Sequence, residues 1–275
     1  MQIEAPLECV CSGESFELAH RYTEAPTGEI RFAFSDQHGY RREILRCQSC
    51  GHFISRHGME TSNMYADEYV NSTYGGDEGI RRNFERIIGL DPAQSDNTGR
   101  VRRVLEFAET HFGETKLPPR VLDVGSGLCV FLYRMKEAGW NCTALDPDER
   151  SITHARETVG VNGICGDFMR DDSFGKFEVI TFNKVLEHVE DPVKMLRKAV
   201  AYLEPGGFIY IELPDGEAAS TDGFGREEFF IEHLHIFSFA SFANLVARAG
   251  LNLISLERIR EPSTKFTLRG FALNG

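Results

Sequence analysis

The chain has 275 residues, 41% of them hydrophobic and 26% charged, proportions that exclude global disorder, collagen-like repeats and a coiled coil. At roughly 150 residues per domain it holds one large domain, or one with a small appendage. Thirty basic residues against 42 acidic ones leave a net charge of −12, which disfavours nucleic acid and anionic membrane surfaces as partners, since both require a dense Lys/Arg footprint.

The first residues lack a basic run followed by an apolar one, and no later stretch approaches the roughly 18 apolar residues of a membrane span, so a cytoplasmic location is expected. Four of the seven cysteines cluster early, as Cys9-x-Cys11 and Cys47-x-x-Cys50. In a reducing compartment such a cluster points to a metal site, whereas the scattered Cys129, Cys142 and Cys165 read as buried small hydrophobes.

Between the cysteine pairs, Phe16–Tyr22, Ile30–Phe34 and Arg42–Arg46 alternate in short runs separated by turns at Pro26-Thr-Gly28 and His38-Gly39. They predict a small antiparallel meander. So few residues bury little core, and a bound metal would supply the missing stability. Two thiols separated by two residues can share one tetrahedral ion, and Gly51 relaxes the turn. Cys9-x-Cys11 is tighter than that spacing, which leaves His20, His52 and His57 open as substitute ligands. The expected ion is a closed, structural zinc.

Residues 59–76 are rich in Tyr, Asn and Gly. Ile80, Phe84, Ile87 and Ile88 then fall on a helical stripe that ends at Asp91-Pro92, and a second helix is expected over 99–112. From residue 120 strands and helices alternate: strands at Val121–Val124, Asn141–Leu145, Gly163–Cys165, Phe177–Phe182 and Phe208–Leu213, with helices after the first, after Asp191-Pro192 and after Ser238. A closing hairpin is expected over Leu251–Glu257 and Lys265–Leu273. This alternation predicts an α/β fold with a doubly wound, mostly parallel sheet. The expected division is 1–58 for the small β segment with its zinc site, 59–117 for a Tyr-rich linker and helices forming a lid, and 118–275 for the main domain.

Asp123-Val-Gly125-Ser-Gly127 places two glycines where a strand turns into a helix, allowing backbone to approach a ligand. A dinucleotide fingerprint would need a third Gly or Ala at position 130, which is Val130, so a pyrophosphate cofactor is disfavoured. Acidic residues at three consecutive strand ends, Asp123, Asp146 and Asp167, suit a cationic ligand that contains an adenosine.

These segments, together with Val185-Leu-Glu-His188-Val-Glu-Asp-Pro192 and Leu203-Glu-Pro-Gly-Gly207, resemble class I S-adenosylmethionine-dependent methyltransferases over residues 120–215. The resemblance implies a seven-stranded Rossmann-like sheet, with Gly125 and Gly127 beneath the cofactor, Asp146 on its ribose, Asp167 on the adenine amino group and Asn183 beside the methionine part. His188, in the Leu-Glu-His segment, is implied to position rather than to catalyse.

Cys47-Gln-Ser-Cys-Gly51, Tyr65-Ala-Asp-Glu-Tyr69 and Glu232-His233-Leu-His-Ile-Phe237-Ser238 extend the resemblance to methyltransferases of nucleotide-linked deoxysugars and of polysaccharide and natural-product pathways. It implies that His233 lies over the acceptor as general base, the alternative being that His233 or His235 packs on the Ser238 helix. Tyr65, Tyr69 and Tyr74 are expected to close over the cofactor and acceptor, and Phe224, Phe229 and Phe230 to line the acceptor pocket. The resulting expectation is methyl transfer to a small polar metabolite. A zinc-containing RNA methyltransferase and a non-catalytic cofactor-binding scaffold are the alternatives.

Overall fold

The computed structural model describes residues 7–30, 40–58, 76–113 and 118–275. Five strands run parallel: β4 (Arg120–Val124), β5 (Asn141–Asp146), β6 (Asn162–Cys165), β7 (Phe177–Asn183) and β8 (Leu203–Pro214). Two more, β10 (Leu251–Arg260) and β11 (Phe266–Asn274), complete a seven-stranded sheet in the order β10-β11-β8-β7-β4-β5-β6. β11 runs antiparallel to both of its neighbours, so the expected closing hairpin inserts its second strand beside β8.

The strands read as near-continuous apolar runs because both faces are covered. Successive side chains go to opposite faces. Leu122, Ile180, Phe182, Ile209 and Ile211 pack against Leu196 of α5 (Pro192–Val200) and Leu245 of α7 (Phe239–Arg248). On the other face Val121, Val179, Phe208 and Tyr210 meet Phe84 of α1 (Gly76–Ile88), Val104 of α2 (Asp96–Phe112) and Leu132 of α3 (Val130–Glu137).

Local chemistry sets the ends of these helices. Asp191 accepts from the Lys194 amide with Pro192 in the first turn, and Ser238 and Ser241 bond reciprocally at the start of α7. Two short helices were not anticipated. α4 (Glu149–His154) runs into a π turn at Ala155–Val159, and α6 (Gly216–Asp222), capped by Asp215, lies where three glycines suggested a loop. β8 also begins five residues earlier than expected, and Gly206-Gly207 lies within it. A Cβ on Gly207 would stand 2.5 Å from the Glu178 carbonyl, so that glycine permits the close strand approach at an irregular point in the register.

The second sheet has the order β1-β2-β3-β9, from β1 (Phe16–Tyr22), β2 (Arg42–Cys47), β3 (Phe53–His57) and β9 (His235–Ile236). Its last strand comes from the far end of the chain, with Ile54 paired to His235 and Phe53 to Ile236. The expected strand Ile30–Phe34 falls, after Ile30, outside the described residues, as do Tyr65, Tyr69 and Tyr74. Among the described residues no helix is long and apolar enough to cross a membrane.

Candidate active site

The strand order reverses direction between β4 and β7, and at that point the carboxyl ends of the strands open into a cleft of about 1290 Å³. Asp123, Gly125, Gly127, Asp146, Asp167, Asn183 and His188 all line it, as does His233.

On one side lies the glycine turn. The amides of Gly125 and Ser126 both donate to the Leu145 carbonyl, at 2.8 and 3.2 Å, which folds the turn tightly over the end of β5. Gly125 has φ +69°, and a Cβ there would stand 2.7 Å from Val185 Cγ2. Gly125→Ala therefore combines a left-handed conformation with an overlap against a branched side chain. A loss of about 2–4 kcal/mol is expected in thermal unfolding, accompanied by weakened cofactor binding. An unchanged melting temperature would show that this turn is not held as described.

Asp146 uses both carboxylate oxygens on backbone. Oδ2 accepts from the Gly127 amide and Oδ1 from the Asp148 amide, both at 2.9 Å. Each oxygen keeps a second lone pair, the capacity needed to accept from a pair of hydroxyls. Burial pushes its pKa up, against those two hydrogen bonds. Asp167 accepts from the Met169 amide and pairs with Arg170 at 3.3 Å.

Asp123 lies deeper, and one of its oxygens accepts from Thr181 Oγ1 at 2.6 Å and from Asn183 Nδ2 at 2.7 Å. Burial raises its pKa to about 6, with the two donors opposing the rise. Because the amide nitrogen of Asn183 is committed to Asp123, its oxygen remains as a buried acceptor with no hydrogen-bond partner. An acceptor left in this state suits a cationic donor, such as the ammonium of a methionine moiety. Together, the glycine backbone, the ribose-competent Asp146 and this carbonyl fit S-adenosylmethionine.

The opposite wall comprises the segment after β7 and the loop before β9. They are stapled together by the Glu187 carbonyl, which accepts from the Leu234 and His235 amides at 2.8 and 3.1 Å. His188 Nδ1 lies 2.8 Å from the Glu232 carbonyl, His233 Nδ1 lies 2.9 Å from the Glu228 carbonyl, and the ring centroids are 4.9 Å apart. Desolvation lowers the pKa of both rings, that of His233 well below the usual histidine value with the neighbouring His188 contributing. A carbonyl can only accept, so each neutral ring carries its proton on Nδ1 and a lone pair on Nε2. His233 does not cap the Ser238 helix; His235 is the ring that packs inward, 3.0 Å from His52. Phe224 and Phe229 pack against Phe53 and each other rather than lining the cleft, because the second sheet requires a core of its own.

Several supporting residues had no sequence signal. Arg100 of α2 reaches the cleft to pair with Glu212 of β8 through two contacts, at 2.5 and 2.9 Å. Burial opposes ionisation of Glu212, but Arg100 prevails and holds its pKa at about 2. Arg100→Ala would leave the buried Glu212 carboxylate without its counter-ion, keeping the Tyr210 hydroxyl that donates to it at 2.9 Å, and is expected to cost about 3–5 kcal/mol at pH 7. Because the folded pKa is depressed, the pair's stabilisation is present above the unfolded value of about 4.3 and is lost as pH falls toward 2. The stability gap to wild type should therefore shrink over that window in chemical denaturation, and a pH-independent gap would refute the assignment.

The second sheet holds the loop before β9 from behind. The buried pair Arg42–Glu29 (3.1 Å) binds the Phe229 carbonyl and the Ile231 amide, at 2.6 and 2.7 Å. Ser238 Oγ donates to the Cys50 carbonyl. The four clustered sulfurs stand 3.4 Å (Cys9–Cys11), 3.5 Å (Cys9–Cys50) and 3.7 Å (Cys11–Cys47) apart. Zn–S bonds of about 2.3 Å in a tetrahedron imply S···S edges of about 3.8 Å, so the donor set fits zinc. His52 is engaged with His235 and Ser241.

Comparison with known proteins agrees with this geometry. A family model described as a methyltransferase domain matches residues 93–256. The ubiquinone biosynthesis O-methyltransferase of Vibrio parahaemolyticus is 32% identical over 127 residues, which are 43% of this chain and 52% of that protein. Its counterpart in Bordetella avium is 29% identical over 126 residues, 43% and 50% of the two chains. The chain thus spans about half the length of the curated relatives it matches.

Two solved structures share the fold. Synechocystis magnesium protoporphyrin IX methyltransferase with bound S-adenosylhomocysteine has a TM-score of 0.56 at 14% identity, covering 76% of this chain and 97% of that one. The Burkholderia thailandensis 1,6-didemethyltoxoflavin-N1-methyltransferase has a TM-score of 0.55 at 19% identity, covering 89% and 98%. With the family model spanning more than half its length, the chain belongs to the class I S-adenosylmethionine-dependent methyltransferases.

Proposed function

We propose that this chain transfers a methyl group from S-adenosylmethionine to a small polar acceptor, and that the acceptor is a nucleotide-linked sugar or a related natural-product or polysaccharide precursor. The observation that carries the reading is the single cleft in which the Asp123–Asn183–Asp146 wall faces the His188–His233 wall. When bound, the sulfonium supplies the electrophilic methyl; the protein binds, orients and excludes water.

In this reading Gly125 and Gly127 cradle the cofactor, Asp146 accepts from its ribose, Asp167 meets its adenine amino group and Asn183 meets its ammonium. His233 presents a neutral ring whose Nε2 lone pair can engage an acceptor proton, the state a general base requires. Tyr65 and Tyr69, which lie outside the described residues, are proposed from the sequence to act on the acceptor. Cys9, Cys11, Cys47 and Cys50 hold a structural zinc with no open position, which ties the second sheet to the acceptor loop.

The test is incubation with methyl-labelled S-adenosylmethionine and a source-cell extract, followed by separation of small molecules from macromolecules. Label among nucleotide sugars is expected. Label in RNA would replace the acceptor class, and failure of the purified chain to bind S-adenosylmethionine would overturn the whole reading.

A further inference from the structure

His235 grips the segment after β7 at two points. Its amide donates to the Glu187 carbonyl at 3.1 Å, and its ring Nε2 lies 3.2 Å from the Glu190 carbonyl. The two contacts bracket His188, whose ring stands 4.9 Å from that of His233. The Glu187 side chain takes no part, since it is fully buried and neither carboxylate oxygen has a hydrogen-bond partner. Position at this wall is therefore set through backbone carbonyls, and His235 lies only two residues beyond His233.

The bracket is itself anchored. His235 Nδ1 lies 3.0 Å from His52 Nε2, and His52 Nδ1 lies 3.2 Å from the hydroxyl of Ser241, in the first turn of α7. His52 closes the turn that contains Cys47 and Cys50, its carbonyl accepting from the Cys47 amide at 2.7 Å. Alongside, the Leu234 carbonyl accepts from the Ser55 amide at 3.0 Å.

The order of protons along this chain follows from its end. A carbonyl only accepts, so Nε2 of His235 carries a proton. Both rings are fully buried, and among the described residues neither hydrogen-bonds a carboxylate, so both are neutral. The lone pair on His235 Nδ1 then accepts from His52 Nε2–H, and His52 Nδ1 accepts from the Ser241 hydroxyl. Every link runs in one direction, and removal of either ring leaves a nitrogen of the other buried without a partner. His188 and His233 carry the opposite tautomer, because their Nδ1 atoms face carbonyls.

We propose that His52 and His235 are positioning residues for methyl transfer, which set where the His233 ring stands in the cleft. Neither of them lines that cleft, so they act through His233 and the segment after β7. The role rests on the methyl-transfer reading, in which His233 engages the acceptor. In-line transfer is sensitive to placement, a shift of about 1 Å costing about 100-fold. The turn that bears Cys47 and Cys50 thus acts on the wall that carries His233 through a single file of hydrogen bonds.

The test has two arms on the full-length, zinc-replete protein. Long-range ¹H–¹⁵N spectra of the wild type should show neutral Nε2–H rings at His52 and His235 and Nδ1–H rings at His188 and His233. Any other tautomer at His52 or His235 would overturn the chain, and this readout needs no variant. The second arm compares His52→Leu with the double variant His52→Leu, His235→Leu. The single variant should lose melting temperature, shift the His233 ring resonances although residue 52 does not touch that ring, and lower label transfer from S-adenosylmethionine into source-cell extract at least about tenfold per folded chain. The double variant leaves no ring nitrogen orphaned, since Ser241 can donate to the Ser238 carbonyl at 3.1 Å and the exposed Glu190 can turn to water. It should recover most of the lost stability and none of the rate. A rate that stays at the wild-type level, or that returns together with stability, would reduce the pair to a structural role and overturn the proposal. Calorimetry keeps the two readings apart. S-adenosylmethionine affinity should be equal in all three proteins, and a wild type that binds none sinks the methyl-transfer reading, whereas the tautomers and the His233 shift still decide whether the chain sets that ring.

Discussion

Removal of metal from the Cys9, Cys11, Cys47 and Cys50 cluster with a chelator is expected to abolish acceptor methylation while leaving S-adenosylmethionine affinity within about threefold of its starting value. Structural zinc sites of this type contribute about 10–16 kcal/mol of apparent binding free energy at pH 7 in isolated peptides, far more than the short strands of the second sheet can supply by burial. Sulfurs 3.4–3.7 Å apart have little reason to stay together without a shared ion.

The damage should spread in a defined direction. Cys50 accepts from Ser238, His52 contacts His235, and Arg42 and Glu29 hold the Phe229 carbonyl and Ile231 amide. All of these partners lie within residues 229–238, the stretch that contains His233 and continues through β9 to the cap of α7. The glycine turn and Asp146 are held by bonds within the large sheet and its own connections. Metal analysis should give one zinc per chain, and Cys47→Ser should reproduce the chelator's effect. Full turnover after complete zinc removal would refute the structural role.

Features carried by local chemistry were legible in the sequence. Apolar runs bounded by turns gave five of the seven large-sheet strands as parallel and the last two as a hairpin, and the Asp191-Pro192 and Ser238 caps placed the starts of two helices to within a residue, although Leu203, expected on the first of them, begins β8. The glycines and acids at strand ends fell together in the cleft because a parallel sheet brings all its carboxyl ends to one edge.

What was not legible depends on partners far apart in sequence. Arg100 and Glu212 are separated by 112 residues and His52 and His235 by 183, and no periodicity records such a pair. β9 is two residues long and exists only because β3 offers it an edge. α6 was hidden by its glycines, and its cap, Asp215, is also held by Arg258 from β10. Phe224 and Phe229 looked like pocket residues because a glycine-rich context suggests a loop, whereas the second sheet needs them as core. Glu187 lay in plain view within Leu-Glu-His, but its unpartnered state could be seen only once its surroundings were placed.

Asp146→Ala is expected to weaken S-adenosylmethionine binding by about 100-fold while changing acceptor affinity little and thermal stability less than a typical buried substitution. The affinity loss follows from removing the proposed acceptor for two ribose hydroxyls, since hydrogen bonds to a charged group contribute about 1.5–3 kcal/mol each and about 1.4 kcal/mol is a factor of ten. Two effects on stability oppose each other. The Gly127 and Asp148 amides lose their partner, which loosens the turn. Burial, however, raises the pKa of Asp146 despite those bonds, so the folded protein bears a desolvation cost for keeping the carboxylate charged, and alanine relieves it. A residue retained for packing would show the reverse pattern, with a large fall in melting temperature and a proportionate, indirect loss of binding. Asp146→Asn sharpens the distinction, because its single amide oxygen can still accept from one backbone amide while offering the ribose a donor in place of an acceptor. Its affinity in calorimetry should fall between wild type and alanine. Equal cofactor affinity in all three proteins would remove Asp146 from the site and leave the glycine turn and Asn183 as its remaining anchors.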